Sequence, residues 1–140
     1  MIRVVFDTSV LVSAVITPGG PNAQLFDFVA TKEIRPYVTE AVLEEYAKVF
    51  DYDHLKHLSK VRVAKLRGIL ERASIVVRPA GRLKVSVHDD DNRIYECAVA
   101  AKAHYIVTEN TKHFKDPYKA TKVCNARQLI AVLRDGKQIL

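Results

Sequence analysis

The stretch Ile2-Arg3-Val4-Val5-Phe6-Asp7-Thr8-Ser9 opens with an apolar, β-branched run and ends in an acid followed by two hydroxyl residues. A short run of this kind, bounded by polar residues, reads as a strand buried on both faces. Val10 to Ile16 is mostly apolar again, so Thr8 or Ser9 reads as the N-cap of a helix. Asp7 then falls at the carboxyl end of a central strand and at the mouth of a helix. In open α/β sheets that is where ligands bind. The plainer reading is a turn or capping Asp, and it weakens only if other acids land at the same end of the sheet.

Outward from this stretch, further strands are expected at Arg35–Val38, Ser74–Val77, His104–Val107 and Thr121–Cys124. Helical patterns lie between them at Ser9–Ile16, Ala23–Thr31, Glu40–Phe50, His54–Ala73, Asp91–Ala103 and Ala126–Arg134. Alternating strand and helix implies an α/β fold with a central parallel sheet of about five strands and helices on both faces. The 140 residues suit one domain, 1–140, with a core of ordinary size. No apolar run reaches membrane-spanning length, and no signal-peptide pattern opens the chain, so no membrane partner and a cytoplasmic setting are expected. Cys97 and Cys124 have no metal-like spacing and read as buried free thiols. A net charge of +6 favours a polyanionic partner.

Three further places carry candidate chemistry. In the helix from Ala41, the residues Val42, Leu43, Tyr46, Val49 and Phe50 form an apolar stripe. Helical phase sets Glu44 opposite the stripe, in solvent, and Glu45 on its border, where a carboxylate can look into a cleft. In Asp89-Asp90-Asp91-Asn92-Arg93-Ile94-Tyr95-Glu96, the stripe through Ile94, Tyr95, Ala98 and Ala101 takes in Asp91. Asp89, Asp90 and Glu96 point elsewhere, Glu96 toward solvent. First-turn acids also satisfy free amides and the helix dipole, but three in a row crowd negative charge, which a divalent cation would relieve. The third place is Tyr105-Ile106-Val107-Thr108-Glu109-Asn110, a strand ending in polar residues. Asn110 stands there at about the offset that Asp7 has from the first strand, though a turn Asn reads equally well. Carboxylates gathered around Mg²⁺ or Mn²⁺ activate water against phosphodiesters. No nucleophile elbow, phosphate-cradling loop or zinc spacing competes with that chemistry.

These segments resemble a PIN-domain ribonuclease, in particular the VapC-like toxins of toxin–antitoxin pairs. The carriers are Val5-Phe6-Asp7-Thr8-Ser9-Val10, Leu43-Glu44-Glu45-Tyr46, Asp90-Asp91-Asn92-Arg93-Ile94, Tyr105-Ile106-Val107-Thr108-Glu109-Asn110 and His113-Phe114. The resemblance implies a three-layer PIN-like domain and a metal-dependent endoribonuclease acting on single-stranded RNA. By it, Asp7 and Asp91 are direct ligands of Mg²⁺ or Mn²⁺, Glu45 is a further acid of the cluster, and Asn110 stands where the family often has Asp. It also implies an antitoxin protein as partner and a homodimer. The neutral Asn110 brings no charge and keeps open a PIN-like RNA-binding module with weak or lost catalysis. Two rivals lack their residues. A phosphoacceptor receiver needs paired acids after the first strand, and an Asp-nucleophile phosphatase needs an acid where Ser9 stands. The basic residues of His54–Arg72 read as a solvated helix face. Lys112, Lys115, Lys119 and Lys122, with Phe114 and Tyr118, are expected to flank the cleft, neutralise phosphates and stack on bases.

Overall fold

The computed structural model describes residues 1–136; residues 137–140 of the expected domain span lie outside the described residues. Five strands form one parallel sheet: β1 (Ile2–Phe6), β2 (Ile34–Val38), β3 (Ile75–Val76), β4 (Tyr105–Val107) and β5 (Lys122–Cys124), in the order β3-β2-β1-β4-β5. The helices are α1 (Thr8–Ile16), α2 (Pro21–Ala30), α3 (Glu40–Val49), α4 (Lys60–Ala73), α5 (Asp89–Ala101) and α6 (Ala126–Asp135). This is the expected three-layer α/β architecture. β1 is central, and the second half of its run is buried on both faces: Val4, Val5 and Phe6 are fully inaccessible. Side chains of this size contribute about 1.5–3 kcal/mol each on burial. Β-branched α1 is a poor intrinsic helix former, but Val10, Leu11, Ala14 and Val15 are buried and tertiary packing holds it helical.

The register carries the function. β1 pairs with β4 so that Phe6 stands opposite Val107, and the Asp7 amide donates to the Val107 carbonyl at 2.9 Å. Asp7 and Thr108 are therefore the first residues beyond two adjacent strand ends. The strand expected at Ser74–Val77 is real but only two residues long, an edge strand with Val76 60% exposed.

Several expectations need correction. The helix drawn over His54–Ala73 is broken. A 3₁₀ turn covers Asp53–Leu55, and α4 starts afresh at Lys60 with the Ser59 hydroxyl accepting from the Arg62 amide. α2 begins two residues early because Pro21, which lacks an amide hydrogen, suits a first helical position. α5 begins at Asp89 rather than Asp91 and ends at Ala101, with Lys102 left-handed at φ 49°. Neither Thr8 nor Ser9 caps α1: Asp7 holds that position. Phe114 and Tyr118, expected to stack on bases, pack on Tyr95 at ring distances of 5.4 and 4.7 Å. The Tyr95 hydroxyl in turn accepts from the Lys115 amide at 2.7 Å. Both cysteines are buried free thiols, as expected, and burial pushes each up to about 12. Among the described residues no helix is long and apolar enough to cross a membrane.

Candidate active site

Asp7 occupies the N-cap position of α1, yet its side chain makes no capping bond. Its Oδ2 accepts from the Ser9 hydroxyl and from the Thr108 hydroxyl, each at 2.8 Å. Each hydroxyl carries one proton and donates it to Asp7, so their mutual 3.3 Å approach is a contact rather than a third bond. The same oxygens accept backbone amides: Ser9 from Glu109 and Thr108 from Asn110, both at 3.1 Å. The capping interpretation of Asp7 fails on this geometry. The carboxylate is instead clamped between β1 and β4 with Oδ1 left without a protein donor among the described residues.

Asp91 lies in the first turn of α5, half-buried. Desolvation, and then the charge of Asp7, raise its pKa; His113 and His88 oppose the rise and Asp90 adds to it. The two histidines stack at 6.4 Å between ring centres. Asp7 and Asp91 thus come together from residues far apart in sequence. Two like charges facing each other while partly desolvated are costly, a feature found at functional sites.

A cleft of about 250 Å³ opens beside Asp7, lined by Asp7, Glu45, Asp90, Tyr46, Arg82 and Arg93 among others; Asp91 is not one of its walls. Glu45 is half-buried and Glu44 exposed, as helical phase requires, though Glu44 also reaches the cleft wall. The Glu45 Oε1 accepts from the Tyr52 hydroxyl at 2.9 Å, and that bond is the main cause raising the Tyr52 pKa. Asp90, expected to project elsewhere, lines the cleft, because α5 starts at Asp89 and all three acids share its first turn. Tyr46 is buried beneath the cleft and donates to the Phe6 carbonyl; burial above all holds its phenol well above the ordinary range. Asn110 is exposed and opens the 3₁₀ turn Thr111–His113; it does not line this cleft. A larger cavity of about 520 Å³ lies at the amino ends of the strands and takes in none of the expected site residues.

Sequence reasoning missed three participants. Glu96, expected in solvent, is 5% exposed and pairs with Arg93 at 2.6 Å. Asn92, 1% exposed, binds the loop before α5 through Val85 and Ser86. Glu109 receives the Asn22 side-chain amide at 2.7 Å. The polar run around Asn92 signalled chemistry, but nothing local signalled which loop would cover it.

The donor set is hard oxygen: two carboxylates, with hydroxyls behind one of them. That suits Mg²⁺ or Mn²⁺, which often take one or two carboxylates and keep waters. Among the described residues no three His, Cys, Asp or Glu side chains converge closely enough to hold a metal. The residues therefore fit a two-carboxylate site completed by water rather than an all-protein cage.

A family profile described as PIN domain matches residues 3–112. The chain belongs to the PIN domain family, whose members are generally nucleases. It is also similar to the uncharacterized protein MJ1680 of Methanocaldococcus jannaschii, 28% identical over 127 residues, covering 89% of this chain and 82% of the relative.

Proposed function

We propose that this protein is a metal-dependent endoribonuclease that hydrolyses phosphodiester bonds in single-stranded RNA. The observation that carries the reading is the Asp7–Asp91 pair: one carboxylate clamped by two hydroxyls at the strand ends, the other raised in pKa beside it. Asp7 and Asp91 would hold Mg²⁺ or Mn²⁺, with Glu45 contacting the metal's water from the cleft wall. The bound cation would supply charge for the phosphate oxygens and lower the pKa of a water. The chain's own part is positioning. Ser9 and Thr108 fix the Asp7 rotamer, and Glu45 accepts or orients a proton once RNA displaces Tyr52. Asn110, exposed beyond the end of β4 and outside the cleft lining, is a neutral hydrogen-bonding position and not a fourth charge.

The motif resemblance supports a toxin of a toxin–antitoxin pair, cytoplasmic, with an antitoxin protein and a second copy of the chain as partners. One observation favours a second reading, an RNA-binding module with weak or lost catalysis: among the described residues no third carboxylate joins the pair closely enough to hold a metal, and by the motif resemblance the neutral Asn110 stands where a fourth acid is frequent. Purified chain, single-stranded RNA, and Mn²⁺ against EDTA decide between them. Cleavage that requires the metal and disappears in Asp7→Asn supports the nuclease; RNA binding without metal-dependent cleavage supports the module.

A further inference from the structure

A second cavity, about 500 Å³, adjoins the acidic cleft and shares Ala41, Arg82 and Arg93 with it as walls. Its other lining includes Arg78 with Val76 and Pro79. The combined groove grades in charge. The cleft sets Asp7, Glu44, Glu45 and Asp90 against Lys48, Arg82 and Arg93; the second cavity sets Arg78, Arg82 and Arg93 against Glu40 and Glu96, with Glu96 paired to Arg93, beside a small apolar wall. Arg78 and Arg82 are exposed, and no ion pair among the described residues engages either.

The arginine end is built with care. Residues 77–88 contain no regular structure, and such a loop is ordinarily mobile. Here two buried polar residues of α5 pin it. Glu96 Oε2 accepts from the Leu83 amide at 2.8 Å and from the Arg93 guanidinium at 2.6 Å. Asn92 accepts from Val85 and Ser86 amides at 3.0 and 2.8 Å and donates to the Ser86 carbonyl at 2.8 Å. Burying a carboxylate and an amide is costly unless both are fully paired. Both are paired here to hold Arg82, the neighbour of Leu83, and Arg93 at the junction of the two cavities.

We propose that the arginine cavity is the subsite for the nucleotide adjoining the scissile phosphodiester, with Arg78 and Arg82 on its phosphate and Glu96 as the positioning residue. It rests on the ribonuclease reading above. Asp7, Glu44, Glu45 and Asp90 outnumber Lys48, Arg82 and Arg93 at the acidic end, so a strand reaching it gains from a further fixed cation close by, which Arg78 supplies. A guanidinium binds a phosphate with two parallel hydrogen bonds. Val76 and Pro79 offer an apolar surface to the sugar or base.

The test is fluorescence anisotropy of a fluorescein-labelled single-stranded RNA of mixed sequence, in EDTA, between about 50 and 200 mM KCl. Arg82→Ala and Arg78→Ala are each expected to weaken binding about tenfold at the lowest salt and to shrink the salt slope by about 0.7. Lys60→Ala, at an exposed residue that opens α4 outside both cavities, is expected to do neither. Glu96→Gln keeps the side-chain volume but removes the charge that orients Arg93; with Mn²⁺ it is expected to raise KM several-fold at unchanged kcat. If Glu96→Gln does not fold, the surface arginine variants still decide. Arginine variants with wild-type affinity and slope overturn the proposal, and so does wild type that binds no RNA. Cleavage separates the two ideas. Arginine-dependent binding without metal-dependent cleavage removes the nuclease and leaves the arginines as an RNA-phosphate site with no scissile bond beside it, which overturns the subsite as proposed; cleavage with arginine-independent affinity keeps the nuclease and overturns the subsite.

Discussion

The two halves of the cleft are built on opposite plans. On the sheet side, Asp7 is tied by Ser9 and Thr108, and those hydroxyls are tied in turn to the Glu109 and Asn110 amides. On the helix side, Asp90 and Asp91 share one helix turn, and desolvation first, then the charge of Asp7, raise the Asp91 pKa. The first half is held in place without any ligand through Oδ2, with Oδ1 left for one. The second half carries repulsion that His113 and His88 offset only in part, and that a bound cation or a proton removes. A site divided in this way is pre-organised where geometry matters and loaded where binding must be driven.

The largest expected effect comes from unloading the helix side. Asp91→Asn is expected to reduce RNA cleavage by more than about a hundredfold, since on the proposed reading it removes one of the two metal ligands. The same change removes the repulsion, so the apo protein should melt at a higher temperature than wild type at neutral to alkaline pH. The sign follows from linkage. The folded pKa of Asp91 lies above its unfolded value, so its contribution to stability is present at low pH and is lost as pH rises through the folded pKa. The gap between the mutant and wild type should therefore close on acidification. Saturating Mn²⁺ should stabilise wild type alone, by about 2.7 kcal/mol at a hundredfold excess over Kd. Thermal melts with EDTA and with Mn²⁺ check this; an unchanged metal-induced shift in the mutant would return Asp91 to the role of a helix-terminal charge.

Loosening the sheet side should cost less. Thr108→Val keeps the shape of a fully buried residue and removes one donor to Asp7. It leaves the Asn110 amide without its acceptor as well. Stability is expected to fall by about 1 kcal/mol, and cleavage by about tenfold because Asp7 gains rotamer freedom. Urea denaturation and single-turnover cleavage measure the two effects. A stability loss at full activity would mean that the clamp serves the fold alone.

These two halves also differ in how far they could be read from sequence. The sheet side was legible: a strand ending in Asp7 and another ending in Thr108 needed only strand patterns and parallel topology to be set side by side. The phase of Glu45 against Glu44 was legible for the same reason, since one helix and one period decide it. Glu96 was not. Helical phase places it off the stripe of Ile94 and Ala98, and solvent is the local answer. It is buried by the loop 77–88, whose path no periodicity encodes. Asp90 was misplaced because a two-residue error in the start of α5 changes which acids share the first turn. Phe114 and Tyr118 look like surface aromatics in a lysine-rich stretch, but they fold back on Tyr95, a tertiary contact with no local signature.

Between the halves stands Glu45, on α3 and engaged by Tyr52. Glu45→Gln is expected to lower cleavage about tenfold while Glu44→Gln stays near wild type. Both line the cleft wall, so the pair tests whether burial and phase, rather than mere presence at the wall, select the working acid. Equal losses would show that Glu44 turns inward when RNA binds.

The smallest effect is expected at Asn110, the neutral member of the sheet side. Its backbone amide already serves the clamp through Thr108, and that role survives substitution because it uses no side-chain atom. Asn110→Asp therefore changes charge at nearly constant shape. If Asn110 borders the metal position, the added carboxylate should tighten Mn²⁺ binding severalfold, by Coulomb attraction that solvent screens strongly at an exposed residue. It should also add repulsion to the apo cluster and lower the apo melting temperature slightly, as Asp7 and Asp91 already do to each other. The two changes must appear together, since the charge that attracts the cation is the charge that repels the acids. Calorimetric titration with Mn²⁺ and an EDTA melt of the same sample measure both. Unchanged affinity with an unchanged melt would put Asn110 outside the field of the pair, and the sheet side of the site would then end at Thr108.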